Sequence, residues 1–222
     1  MPELIKAKEP FRFYTRMHLS ELTGLRANSL NLLANLIKEA PDSCIYNHTH
    51  RFLQQHQYLS PEPPNDFAYW VAEILGEKEL GERLGSIDTM RFDNIAVLKE
   101  RLAATIEDYL KDHWMKKIMF AREGEEFYFM KTISFILPTN YIAYDLKEFA
   151  ELLRKITVDS IYFHIFEARL RLGRKTNDFS HWMEDSFGNK RLAGRIASLD
   201  LYHRTLEDLR GMIIKLIEDE IN

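Results

Sequence analysis

The chain has 222 residues and a formal net charge of −4, with 45% hydrophobic and 29% charged residues. That composition is ordinary for a folded globular chain and long enough for a sizeable core, which argues against disorder. The weak acidic balance argues against nucleic acid as a partner, because that binding needs a clustered basic surface.

No run of roughly 18 apolar residues exists, so no membrane-spanning helix and no membrane partner are expected. The opening stretch MPELIKAKEPFRF is charged and lacks the apolar core of a signal peptide, which points to a cytoplasmic protein. Cys44 is the single cysteine, so no internal disulfide can form, and it reads as a small buried hydrophobe.

An internal repeat dominates the chain. Phe11, Phe13, Thr23, Ala27 and Leu30 recur in register as Phe127, Phe129, Thr139, Ala143 and Leu146, and Ile45, Tyr46 and His48 recur as Ile161, Tyr162 and His164. After a shift caused by extra residues around Pro61 to Pro64, Asn65, Asp66, Phe67 and Trp70 recur as Asn177, Asp178, Phe179 and Trp182. The matches are collinear over nearly the whole chain and define a tandem duplication of a unit of roughly 100 residues. The division expected is 1–122 for the first repeat unit and 123–222 for the second, fused as one compact domain.

The elements follow from periodicity. Phe127 to Phe135 alternates and is rich in aromatic and β-branched residues, as a strand does, while Phe11 to Leu19 is compatible with strand or helix. Ala27, Leu30, Leu33, Ala34 and Ile37 have helical spacing, as do Leu146, Phe149, Leu153 and Ile156, with Thr139 or Asn140 as a cap for the latter. Asp42 or Ser43, and Asp159 or Ser160, are candidate caps for the next helices. Asn65 or Asp66 caps a helix carrying Phe67 and Trp70, and a long helix from Ile95 is expected to run on through Trp114 and Ile118. The fold class expected is mainly α: a duplicated helical unit packed about a pseudo-two-fold axis, with at most one short strand per unit.

The histidine-rich stretch from Ile45 to Trp70 is where chemistry is sought. His48 and His50 lie two apart, about 200° around an α-helix, so they cannot share a metal. No HExxH, paired CxxC or carboxylate-rich loop is present, and neither a metal nor another cofactor is expected. His48 recurs as His164 although Thr49-His50-Arg51 becomes Ile165-Phe166-Glu167, which marks His48 and His164 as scaffold. Asp66 and Asp178 are candidate partners for them, and Trp70 and Trp182 are read as core residues. What belongs to the first repeat alone is His50, Arg51, Gln54, His56, Tyr58 and Glu62, a polar set beside an apolar wall, as a ligand pocket requires.

The segments HTHRFLQQHQYLSPEPPNDFAYWV, IYFHIFEARLRLGRKTNDFSHW and TLEDLR resemble an uncharacterised prokaryotic family known only as a domain of unknown function. The resemblance covers most of the chain and implies a cytoplasmic bacterial or archaeal protein, with no activity or catalytic residue to carry over.

The reading of function is therefore a non-enzymatic cytosolic binding or regulatory protein, with a protein or small polar ligand as partner and a homodimer compatible with it. The alternative is an enzyme, or a site for a sugar- or anion-like ligand, at the His50–Pro64 helix and loop. There His50 or His56 would be the acid/base and Arg51, Gln54 and Tyr58 would position the substrate.

Overall fold

The aromatic alternation that opens each repeat extends much further than its sequence suggests. The computed structural model of the protein describes residues 5–51, 64–92, 94–168, 170, 176–199 and 204–221. In it, strand β1 spans Lys6–Ala27 and strand β2 spans Phe127–Asp145, 22 and 19 residues respectively. The two pair as an antiparallel two-stranded sheet. Their cross-strand contacts give the register: Thr139 Oγ1 donates to Phe13 O at 2.7 Å, and Thr23 Oγ1 donates to Phe129 O at 2.7 Å.

This overturns the expectation of a mainly α protein with one short strand per unit packed about a pseudo-two-fold axis. The fold combines helices with a long two-stranded ribbon. Ala27 ends a strand rather than opening a helix, and Thr139 binds the opposite strand rather than capping one.

Helices follow each strand. After β1 come Leu30–Glu39, Asp42–Tyr46, Asp66–Tyr69, Lys78–Gly85 and Ile95–Asp112; after β2 come Leu146–Leu153, Val158–Tyr162, Asp178–Phe187, Lys190–Ala197 and Leu206–Ile221. Most begin on a side chain that accepts an otherwise unpaired amide, each such cap being worth about 1 kcal/mol. Ser29, Asn65, Asn94, Asp145, Thr157 and Asn177 do this. The caps expected at Asp42 or Ser43 and at Asp159 or Ser160 fall instead at Pro41 and Thr157. The Ile95 helix stops at Asp112, and a tight 3₁₀ turn takes over from Trp114 to Ile118. Gly188 closes its helix in the left-handed region at φ 67°, which a residue without Cβ adopts at no steric cost.

Two compact units result. The continuous unit is His18–Ile133; the split unit joins Met1–Met17 to Ser134–Asn222. The borders fall inside both strands, so the N-terminal part of β1 belongs with helices that follow β2.

In the continuous unit, Phe127 and Phe129 of β2 pack on Phe67 and His48, with ring centroids 5.0 Å apart for Phe67–Phe127 and 4.8 Å for His48–Phe127. Leu33, Ile37, Leu80, Leu98 and Ile106 complete that core. In the split unit, Phe11 and Phe13 of β1 do the same against Phe149, Phe179 and His164. Each such buried phenylalanine stabilises its unit by about 1.5–3 kcal/mol.

Candidate functional site

The helix that carries His164 starts as an α-helix at Val158 and widens to a π turn over Phe163–Glu167, just as Asp42–Tyr46 widens over Asn47–Arg51. The wider turn is a rare form that concentrates at functional sites. Within it, His164 Nδ1 lies 2.7 Å from Asp178 Oδ2, while its Nε2 accepts the Tyr14 amide at 2.9 Å. A ring nitrogen that accepts an N–H carries no proton, so Nδ1 is the donor to the carboxylate. His48 repeats the arrangement with Asp66 at 2.7 Å and the Met130 amide at 2.9 Å. Trp182 Nε1 donates to Glu9 O, and Trp70 Nε1 to Glu125 O, both at 2.7 Å.

Where the repeats stop matching, a cavity opens. In the continuous unit, Asn47 Oδ1 accepts from Thr132 Oγ1 at 2.8 Å and from Ser20 Oγ at 3.3 Å, so polar bonds tie the π turn to the ribbon. The matching positions in the split unit are Phe163, Ile136 and Arg16; the first two can make no such bonds, and Arg16 pairs instead with Glu167 at the far end of the π turn. There the strand and helix border a groove of about 570 Å³, within the range of small-molecule sites.

Phe11, Phe163 and Trp182, all buried, supply its aromatic lining. Lys8, Arg12 and Tyr14 come from β1, where alternate residues share a face. Asp178, His181, Trp182 and Asp185 come from one helix at spacings of three and four, which places them in one stripe. His181 Nε2 stands 3.3 Å from Asp185 Oδ2, and the histidine is half exposed at the mouth. The site thus offers an aromatic lining with Lys8, Glu9 and Arg12 from the strand and Asp178, His181 and Asp185 from the helix. His164 has both nitrogens committed to the scaffold, so it orients the wall.

The model of a family described as "Family of unknown function (DUF5752)" matches residues 8–218. The chain belongs to this family. A solved structure described as "The structure of OrfY from Thermoproteus tenax" is similar to it, with 29% identity over 98% of each chain and a TM-score of 0.81. No curated protein matches. The family brings no assigned activity, so the reading of this member rests on its own residues.

Of the residues singled out in the sequence, His50 is buried, at 1% exposure, stacked on Tyr46 at 5.6 Å with Nδ1 3.0 Å from Thr49 Oγ1. Arg51 is half-buried at the end of the π turn. Gln54, His56, Tyr58 and Glu62 lie outside the described residues, as do Ser60-Pro61 and Gly173. Among the described residues, no group of three or more His, Cys, Asp or Glu is placed to hold a metal ion, and no helix is long and apolar enough to cross a membrane.

The groove residues Lys8, Arg12, Tyr14, Ile136, Phe163, His181 and Asp185 are not among those the sequence reading selects. The signal available was the Asp178–His181–Trp182–Asp185 stripe, together with the loss of Asn47 and Ser20 at their repeat positions. Cys44 is buried, and that burial pushes its thiol up, as befits a core residue.

Proposed function

We propose that this chain is a cytosolic, non-enzymatic binding protein of a prokaryote, and that the groove of the split unit holds a small polar ligand with one apolar face. A sugar- or anion-like molecule fits that description: a ring or chain stacked on Phe11 and Phe163, with polar groups reaching Arg12 on one side and Asp185 on the other.

The observation that supports it is the within-chain difference. The scaffold bonds of His164, Asp178 and Trp182 are matched in the other repeat, while the polar tie made by Asn47 is replaced by Phe163 and Ile136, and a groove lies there. The Asn47 tie is given up where a ligand would sit, and the Arg16–Glu167 pair holds the far end of the π turn to the ribbon instead.

The test is thermal unfolding against a panel of sugars, sugar phosphates, nucleotides and amino acids, with mass spectrometry of the purified protein under native conditions. A ligand at a hundredfold its Kd stabilises by about 2.7 kcal/mol. The expected result is a hit abolished by Arg12→Ala and by Phe163→Asn. A panel that shifts nothing, together with protein that retains no small molecule, overturns the proposal, as does a hit untouched by both substitutions.

A further inference from the structure

The continuous unit presents four large apolar side chains to solvent within seven residues. Trp114, Met115, Ile118 and Phe120 are 69%, 63%, 72% and 64% exposed. The segment is nevertheless held in place. His113 stacks on Tyr109 at 4.2 Å, Lys116 Nζ donates to the buried Glu77 at 2.5 Å, and the Ala121 amide donates to Asn28 O at 2.7 Å. A pinned ledge of exposed apolar groups has already met the ordering cost of binding, which is how a preorganised interface gains affinity.

We infer that this ledge is the contact between two copies of the chain, apposed antiparallel about a two-fold axis. The charges at its two ends carry the choice of occupant. Lys111 and Asp112 stand at one end and Arg122 and Glu123 at the other, all exposed. Run antiparallel against itself, the segment sets Asp112 against Arg122 and Lys111 against Glu123, while the apolar side chains meet between them. Such self-complementarity is what a closed two-fold interface requires. Lys117, exposed in the middle, is long enough to lay its stem along the apolar surface with its amine in solvent.

The area suffices as well. Aromatic and large aliphatic side chains at these exposures supply on the order of 500 Å² per copy, and the stems of the flanking charged residues raise that toward the ~800 Å² of a standard interface.

Sedimentation of the full chain over a concentration series tests this. The wild type is expected to dimerise, and Ile118→Ser to raise the dimer Kd about tenfold or more with unchanged circular dichroism and Tm. Asp112→Arg and Arg122→Asp each weaken the dimer, and the double variant restores it. A wild type monomeric at high micromolar concentration overturns the inference, and so does a dimer indifferent to Ile118→Ser or a double charge swap that fails to restore it. Binding of the monomer to phosphatidylglycerol vesicles, strengthened by Asp112→Arg, would assign the ledge to an anionic lipid surface instead.

Discussion

Tyr14 and His164, 150 positions apart in the chain, are joined by a hydrogen bond from the Tyr14 amide to the ring Nε2 at 2.9 Å. The amide faces away from β2, on the strand's open edge, and the histidine satisfies it. His48 does the same for Met130 on the other strand. A two-stranded ribbon has an unpaired edge along each strand, and open edges invite pairing with other chains. Each histidine therefore closes one edge while anchoring its own orientation on an aspartate.

His48→Ala and His164→Ala are each expected to cost about 3 kcal/mol, because each leaves a strand amide unpaired and strips a carboxylate of its donor. Urea denaturation measures this. A variant as stable as wild type would show that the corresponding histidine is not structural.

Glu167 takes the place of Arg51 in the second repeat, and its carboxylate, 2% exposed, is paired with Arg16 of β1. Removing one member of a buried pair strands the other, so Glu167→Ala or Arg16→Ala should destabilise by about 3–5 kcal/mol. The double variant Arg16→Met with Glu167→Met should recover most of that, since an apolar pair has no charge to desolvate. A double-mutant cycle with no coupling would refute the pairing.

The buried Glu77 accepts from the Tyr109 hydroxyl at 2.6 Å and from Lys116. Burial pushes the Glu77 carboxyl up, but the hydrogen bonds from Lys116 and Tyr109 outweigh it and hold the group below its ordinary 4.5. Burial and the Glu77 carboxylate together push the Tyr109 phenol up to about 12 from an ordinary 10.

The depressed carboxyl contributes stability that is present above the unfolded value near 4.5 and is lost as pH falls through the folded one. The raised phenol contributes stability that is present below pH 10 and is lost as pH rises through about 12. Glu77→Gln should cost about 2 kcal/mol at neutral pH and flatten the acid limb, whereas Tyr109→Phe should flatten the alkaline limb. Denaturant midpoints across pH read both; an unchanged acid limb in Glu77→Gln would contradict the assignment.

Of the three tryptophans, Trp182 alone lines the groove. In a Trp70→Phe/Trp114→Phe background its emission should respond to a ligand that occupies the groove, and Phe163→Asn should abolish the response. A ligand that stabilises the fold without moving Trp182 emission binds elsewhere.

How much of this was legible depends on the element. Asn65 and Asn177 announce helices because an amide-accepting side chain stands just before an apolar stripe. The repeat names Asp66 and Asp178 as partners of the two histidines, and those are the contacts the structure has.

The length of β1 is another matter. Its middle residues Arg16, Met17, Glu21 and Leu22 are good helix formers, and the face buried at Phe11 and Phe13 emerges into solvent at Met17 and Leu19. A strand whose buried face is lost by Met17 and Leu19 shows no sustained alternation, so the period that identifies it fades halfway along. The groove left only an indirect signal, the loss of Asn47 and Ser20 at their repeat positions, because Arg12 and Phe163 are brought together by pairing across most of the chain, which no local pattern records.

The split unit has a consequence for how the protein is made. Phe11 and Tyr14 leave the ribosome early, yet the residues that bury and bond them, Phe149, His164 and Trp182, are translated last. At ~5–20 residues per second the first strand waits roughly ten to thirty seconds for its partners. The continuous unit, by contrast, has its whole sequence by Ile133. Synthesis thus completes one unit's sequence while the other's opening strand waits, and that strand is where a nascent-chain chaperone would have to hold on.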